Sequence, residues 1–219
     1  MVSSGDANAL DSHRALIATV FCDLPGFTTF SETAEPEEAM EVLQAYHKTM
    51  GLLIHEHRDT IDHRAGDGIM IIFNDPLPCE DPTGEAVRMD ELIGEWRKLR
   101  HRLGFGVGLS LGYATIGVVG YEGRYNYTAN GSSVNLAARL ADEAADGQIL
   151  ISQRAHTALG DTVHTESIGD LVLTGVRELI AQPRSPALRQ MWQLTAIESS
   201  AHTQGAPRIT LALLRPSRI

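Results

Sequence analysis

A chain of 219 residues is long enough for one domain of about 150–200 residues with short tails, and an apolar fraction of 43% is ordinary for a globular protein. Its net charge of −10 argues against nucleic acid or an anionic membrane surface as the main partner, because both repel an acidic protein. Two cysteines, Cys22 and Cys79, are too few for a disulfide scaffold. The sequence also shows no apolar run of signal-peptide or membrane-helix type, so we expect a cytoplasmic protein.

The first half of the chain alternates between predicted strands and one long helix. Residues 1–13 are small and polar, which predicts a loose tail. Residues 15–22 are mostly apolar and predict a buried strand, which ends in a turn at Pro25 and Gly26. Residues 36–57 place apolar side chains at helical spacing and predict an amphipathic helix.

The middle of the chain predicts a hairpin and a second helix. Residues 59–65 and 68–73 read as two strands joined at a tight turn. Residues 85–102 predict a helix that ends near Gly104. The glycine-rich, apolar residues 104–120 predict a pair of strands whose backbones approach closely.

The predicted order of elements is β-α-β-β-α-β, the ferredoxin-like, split βαβ arrangement of the α+β class. A third helix is expected to begin near Ser132 or Ser133 and to stop at Gly147. Further strands are predicted in the three segments 148–152, 163–174 and 186–195. These additions extend the predicted domain to residues 14–196, and residues 197–219 are left as a tail without assigned structure.

Two aspartates lie at the edges of predicted strands. Asp23 follows the first apolar strand, and Asp67 precedes the strand of residues 68–73. A carboxylate at the tip of a buried strand is costly unless a positive group lies beside it, and two neighbouring carboxylates repel unless they share a cation. The pair therefore predicts a site for an oxygen-binding ion, Mg²⁺ or Mn²⁺.

Four motifs that follow one another along the chain resemble those of class III adenylyl and guanylyl cyclase catalytic domains, of the bacterial homodimeric type. The motifs are FCDLPGFTTFSE, HRAGDGIMIIF, GYATIGVVGYEGRYNY and NGSSVNLAARL. The resemblance covers roughly residues 15–195. It implies a homodimer with active sites at the subunit interface, which converts ATP or GTP to the 3′,5′-cyclic nucleotide and pyrophosphate.

The resemblance also implies roles for the residues around the first aspartate. Asp23 and Asp67 match the two aspartates that bind two metal ions, and the backbone carbonyl of Leu24 would complete one metal's ligand shell. Backbone N–H groups at Phe27 and Thr28, in a turn that leads into a helix, would hold the β- and γ-phosphates.

Asn135 and Arg139 lie four residues apart, so they share one face of the predicted third helix. Read without the resemblance, they form a solvated polar face with Arg139 paired to Asp142 or Glu143. The resemblance implies that Asn135 orients the ribose and that Arg139 stabilises charge on the α-phosphate. It places both on the subunit opposite the metals, so that neither monomer would be complete alone.

The two positions that recognise the base depart from the adenylyl cyclase pattern of Lys and Asp. They hold His63, four residues before Asp67, and Thr128, seven residues before Asn135. Either side chain can donate or accept a hydrogen bond, so neither enforces adenine. We expect ATP to be preferred but base selectivity to be relaxed, with GTP as a second substrate. A structural strand histidine is the alternative for His63.

One phosphate-binding position also departs from the family pattern. Thr174 occupies the place of a lysine, and Arg177, three residues later, is the candidate replacement. Loss of one charge-assisted contact costs about 1.5–3 kcal/mol, which predicts a slow enzyme. These departures also leave open a silent nucleotide-binding or dimerisation module of the same fold. A diguanylate cyclase would need a Gly-Gly-Asp/Glu-Glu-Phe turn, which AGDGI around Asp67 does not match.

Overall fold

A mixed β-sheet lies at the centre of the protein. The computed structural model describes residues 11–56, 60–88, 94–96, 98, 103–121, 124–160, 163–166 and 191–195. Within these residues eight strands form one sheet: β1 His13–Asp23, β2 Thr60–Ala65, β3 Gly68–Phe73, β4 Gly106–Tyr121, β5 Arg124–Asn130, β6 Ile149–Ser152, β7 His164–Glu166 and β8 Met191–Thr195. The described helices are α1 Phe27–Thr33, α2 Pro36–Glu56, α3 Pro82–Arg88, α4 Ser132–Glu143 and α5 Gln153–Leu159. None of these helices combines the length and apolar character that a membrane span requires.

The strand order confirms the predicted α+β, ferredoxin-like core. The sheet runs β2-β3-β1-β4-β6-β8-β7, and β5 pairs with the far half of β4. The first four strands are antiparallel neighbours, with β1 between β3 and β4. The strands β1 and β2, which α1 and α2 connect, have β3 between them, as a split βαβ unit requires. Among the described strands, β4 and β6 form the one parallel pair, and the connection between them includes α4.

One prediction for the glycine-rich segment is wrong. Residues 104–120 do not form a pair of strands, because β4 is one strand of 16 residues from Gly106 to Tyr121. Its first part pairs with β1 and its last part extends beyond β1 to pair with β5. Together β4 and β5 form an antiparallel hairpin. Helix α5 was not predicted from the sequence.

The two faces of the sheet are covered differently. On one face, α2 and the helical residues 94–96 pack over a large apolar cluster, in which Tyr46 lies edge-on to Trp96 and to Phe105. On the other face, α4 covers β4, and a second cluster forms between the central strands and β5. This second face carries the candidate site, because Asp23 pairs with Gly106 directly beside the end of α4.

Glycines on β4 allow α4 to lie unusually close to the sheet. A Cβ atom on Gly108 would lie 2.1 Å from the carbonyl oxygen of Ala137 and 2.3 Å from the amide nitrogen of Ala141. At Gly112 it would lie 2.5 Å from the Cβ of Ser133, and at Gly106 it would lie 2.8 Å from the carbonyl oxygen of Ala144. The glycines that suggested a close approach of two strands therefore allow the close approach of the helix that carries Asn135 and Arg139.

Candidate active site

The sheet brings Asp23 and Asp67 together. Asp23 is the last residue of β1, and Asp67 lies in the turn between β2 and β3. Because Cys22 pairs with Ile69, the end of β1 lies beside the start of β3. The strand ends thus place the two carboxylates side by side, as the sequence predicted.

The electrostatics of this pair favour a bound cation. Burial raises the pKa of Asp23 to about 6, and the charge of Asp67 and a hydrogen bond shared with it contribute further to the rise. The charge of Asp142 also raises this pKa, whereas a hydrogen bond from the backbone N–H of Leu24 lowers it. The ionised form of Asp23 is therefore unfavourable at neutral pH when no positive group is present, and a bound divalent ion would remove this cost.

The donor set fits Mg²⁺ or Mn²⁺ better than zinc. Among the residues that the structure describes, no group of three or more His, Cys, Asp or Glu side chains is arranged to hold a metal. A site with two carboxylates must take its remaining ligands from backbone oxygen, water or substrate phosphate. Magnesium is commonly bound in this way, because it keeps several waters and uses few protein ligands.

The residues after Asp23 form a tight turn into α1. The carbonyl oxygen of Leu24 accepts a hydrogen bond from the N–H of Phe27 at 2.9 Å, which leaves its second lone pair for a metal. Gly26 has a φ of 89°, in the left-handed region that glycine adopts without strain. The ring of Phe27 packs into the core while Thr28 is exposed. Since the Phe27 N–H already has a partner, Thr28 is the freer of the two predicted phosphate contacts.

Asn135 and Arg139 lie on the exposed side of α4, whose opposite side is buried against β4. The guanidinium of Arg139 donates to the carboxylate of Asp142 at 3.2 Å, and each side chain is about half exposed. This is the pairing that the residues alone suggested. An exposed ion pair of this kind contributes about 0–1 kcal/mol, so a substrate phosphate could readily replace Asp142.

The base-recognition candidates lie on neighbouring strands. His63 is on β2, where its backbone pairs with Met70 after an irregularity in the ladder, and β2 lies against β5, which carries Thr128. Thr128 is half-buried and pairs with Gly117. It lines an open cavity of about 520 Å³ together with Ser12 and Asn130, among others. Thr174 and Arg177 lie outside the described residues.

Sequence reasoning missed a polar cluster at the far end of β3. The Asp75 carboxylate accepts a hydrogen bond from the hydroxyl of Tyr127, and it bonds the Nε2 of His13 at 2.6 Å. Asp75 is only 8% exposed. The partners lie far apart in the sequence, and the only sequence signal was an acidic residue two positions after the apolar run of β3.

Comparison with known proteins agrees with this fold. A family model of adenylate and guanylate cyclase catalytic domains matches residues 11–183. The chain therefore belongs to the adenylate and guanylate cyclase catalytic domain family.

Three relatives illustrate the similarity. An adenylate cyclase of Anabaena cylindrica is 32% identical over 144 residues, which are 62% of this chain and 28% of that protein. The crystal structure of the adenylyl cyclase CyaB from P. aeruginosa matches 88% of this chain and 100% of its own, at 28% identity and a TM-score of 0.72. The crystal structure of the guanylyl cyclase Cya2 matches 88% of this chain and 96% of its own, at 29% identity and a TM-score of 0.72. The chain spans less than a third of the length of the Anabaena relative.

Proposed function

We propose that this chain is a purine nucleotide cyclase that converts ATP to 3′,5′-cyclic AMP and pyrophosphate. The observation that carries the proposal is the carboxylate pair of Asp23 and Asp67 at adjoining strand ends, where burial and the charge of Asp67 both disfavour ionisation of Asp23. A fold without a cation to bind would have no reason to keep this arrangement. Membership of the cyclase family gives the reaction class.

Different residues of the chain have different roles in an in-line attack of the ribose 3′-oxygen on the α-phosphorus. Asp23, Asp67 and the carbonyl of Leu24 would hold two divalent ions, which would supply a lower pKa for the attacking hydroxyl and positive charge for the leaving pyrophosphate. Thr28, with Phe27 beside it, holds the outer phosphates at the turn into α1, and Arg177 is the candidate for a further phosphate contact. Asn135 orients the ribose, and Arg139 offsets the charge that builds on the α-phosphate.

The site is composite, with the metal ligands on one protomer and Asn135 and Arg139 on its partner. The exposure of both side chains on α4 supports this arrangement, because it leaves them accessible to a second protomer. The weak pair of Arg139 with Asp142 keeps the guanidinium near the interface until substrate arrives. A homodimer would then contain two equivalent sites, and neither nucleic acid nor membrane contact is needed for either.

Base selectivity is relaxed in this proposal, with GTP as a side substrate. His63 and Thr128 lie on strands that contact each other, which fits a shared role at the base. Neither side chain has a fixed donor or acceptor pattern, so the free-energy difference between adenine and guanine is small. The similar solved structures include both an adenylyl and a guanylyl cyclase.

A direct assay tests the proposal. The purified chain is incubated with ATP or GTP and with Mg²⁺ or Mn²⁺, and cyclic nucleotide and pyrophosphate are quantified. We expect both products in equal amounts, with slow turnover and with more product from ATP. Asp67→Asn should abolish them, whereas Glu80→Gln in the exposed loop after β3 should not. No product under any condition would favour the alternative that the altered His63 and Thr128 suggest, a silent nucleotide-binding module.

A further inference from the structure

We propose that Asp75 is a positioning residue for purine recognition: through Tyr127 it fixes β5, and so holds Thr128 at the base. The inference rests on the proposed function, because it assigns a role at the same site. Asp75 itself would touch neither substrate nor metal. Its effect would reach the base because its partner, Tyr127, directly precedes Thr128 on β5.

The contacts of Asp75 join three separate segments. One carboxylate oxygen accepts from the Tyr127 hydroxyl on β5, and the other is 2.6 Å from the Nε2 of His13 at the start of β1. The side chain of Asp75 is about 10% exposed. Hydrogen bonds to a charged and buried acceptor are stronger than neutral ones, and their loss would leave the acceptor unsatisfied.

The turn that carries Asp75 is held in place by hydrogen bonds of the preceding residue. Asn74, the residue before it, has a φ of 77°, in the left-handed region that asparagine tolerates. Its side-chain amide donates to the carbonyl of Leu16 on β1 at 2.9 Å, and its carbonyl accepts from the N–H of Cys79 at 2.8 Å. The carboxylate therefore projects from a turn that is tied to both the central sheet and the following loop.

The hairpin end of β5 needs such an anchor. In the described part of the chain β5 pairs with β4 alone, along a stretch that extends beyond the end of β1. The Tyr127 ring packs on the apolar cluster that includes Ile116 and Ala129. Its hydroxyl is tied to the end of β3, the strand that begins beside Asp67. One contact thus ties the strand of Thr128 to the strand next to the metal site.

A structural role alone would lower stability without changing how substrates are discriminated. A positioning role predicts a specific effect on the Michaelis constant and on the ratio of kcat/KM for ATP and GTP. It also predicts that local opening of residues 124–130 becomes more frequent while the central strands are unaffected. These readouts separate the two roles.

The experiment compares Tyr127→Phe, Asp75→Ala and Asp75→Asn with the wild-type chain. Tyr125→Phe is the matched control, because it removes the same hydroxyl from an exposed tyrosine on the same strand. We expect Tyr127→Phe to raise the KM for ATP about 3- to 10-fold, with a smaller change in kcat and an altered ATP/GTP ratio. Asp75→Ala should act at least as strongly, and Asp75→Asn, which keeps an acceptor oxygen, should recover part of the loss. Amide hydrogen exchange of β5 should accelerate in the same order.

Three results would overturn the inference. In the first, Tyr127→Phe behaves as Tyr125→Phe does in both KM and exchange. In the second, exchange accelerates throughout the sheet, which indicates general destabilisation. In the third, amide exchange of β5 accelerates but the ratio of kcat/KM for ATP and GTP does not change. If wild-type protein makes no cyclic nucleotide, the proposed function fails separately, and the variants' affinities for a fluorescent ATP analogue and for its GTP counterpart then replace the kinetic ratio.

Discussion

The carboxylate of Asp67 faces that of Asp23 across the ends of adjoining strands, and burial and this neighbour together raise the pKa of Asp23 to about 6. The pair therefore opposes folding when no cation is bound. A site that is unfavourable for stability but required for function should be revealed by mutation, since removing it has opposite effects on the two properties.

Replacing one carboxylate should stabilise the metal-free protein and abolish its activity. The folded-state pKa of Asp23 exceeds its ordinary value of 3.8, so the metal-free protein loses stability as pH rises from about 4 to about 6. At neutral pH, Asp23→Asn should raise the free energy of unfolding by about 1 kcal/mol, after allowance for partial exposure. Urea unfolding in chelator measures this change.

Adding Mn²⁺ should make the wild-type protein more stable than Asp23→Asn, because the ion binds the folded wild-type chain more tightly than the variant. Glu41→Gln, which removes an exposed carboxylate from α2, is the control. Its free energy of unfolding should equal that of the wild type both in chelator and in Mn²⁺. A metal-free Asp23→Asn protein that is no more stable than wild type would contradict the electrostatic account.

Mixing two inactive variants should restore activity if the sites are shared between protomers. Asp23→Ala removes a metal ligand, and Arg139→Ala removes the α-phosphate contact. Random exchange between equal amounts places one intact site in each heterodimer, which gives about a quarter of wild-type activity. Cyclase assays before and after mixing measure the gain. A mixture that stays inactive, although both variants fold and form dimers, would rule out the composite site.

The close contact between α4 and β4 at Gly108 should not tolerate an added methyl group. Gly108→Ala would bring Cβ within 2.3 Å of two backbone atoms of α4, so the helix must move or the strand must bend. We expect a loss of about 1–3 kcal/mol in the free energy of unfolding. Gly94→Ala, at a helical glycine with no neighbouring atom within 4 Å, should instead be neutral or gain up to about 1 kcal/mol. Equal effects of the two substitutions in urea unfolding would contradict this close contact.

The parts of the fold set by local patterns were predictable, and those set by distant contacts were not. Asp23 and Asp67 were recognisable as a pair because each borders a short apolar strand. The glycines of β4 correctly indicated a close backbone approach, but the approaching element is α4 and not a second strand, which no local pattern reveals. The bond between Asp75 and Tyr127 joins residues 52 positions apart, so only the folded sheet shows it.

The interaction of His13 with Asp75 should make stability depend on pH in a defined direction. The hydrogen bond to Asp75 and the charge of that carboxylate raise the pKa of His13 above 6.5, as does a hydrogen bond to the backbone of Asp11, against the opposing effect of burial. The stabilising contribution is therefore complete below about pH 6.5 and is lost as pH rises through the higher folded-state pKa. His13→Gln should be less stable than wild type at about pH 6, and the difference should shrink by about pH 8.5. Urea unfolding across this range measures the difference, and NMR titration of the His13 ring should show its pKa falling in Asp75→Asn. A difference that stays constant with pH would mean that His13 is held by packing, because only a protonated imidazole gains from the carboxylate's charge.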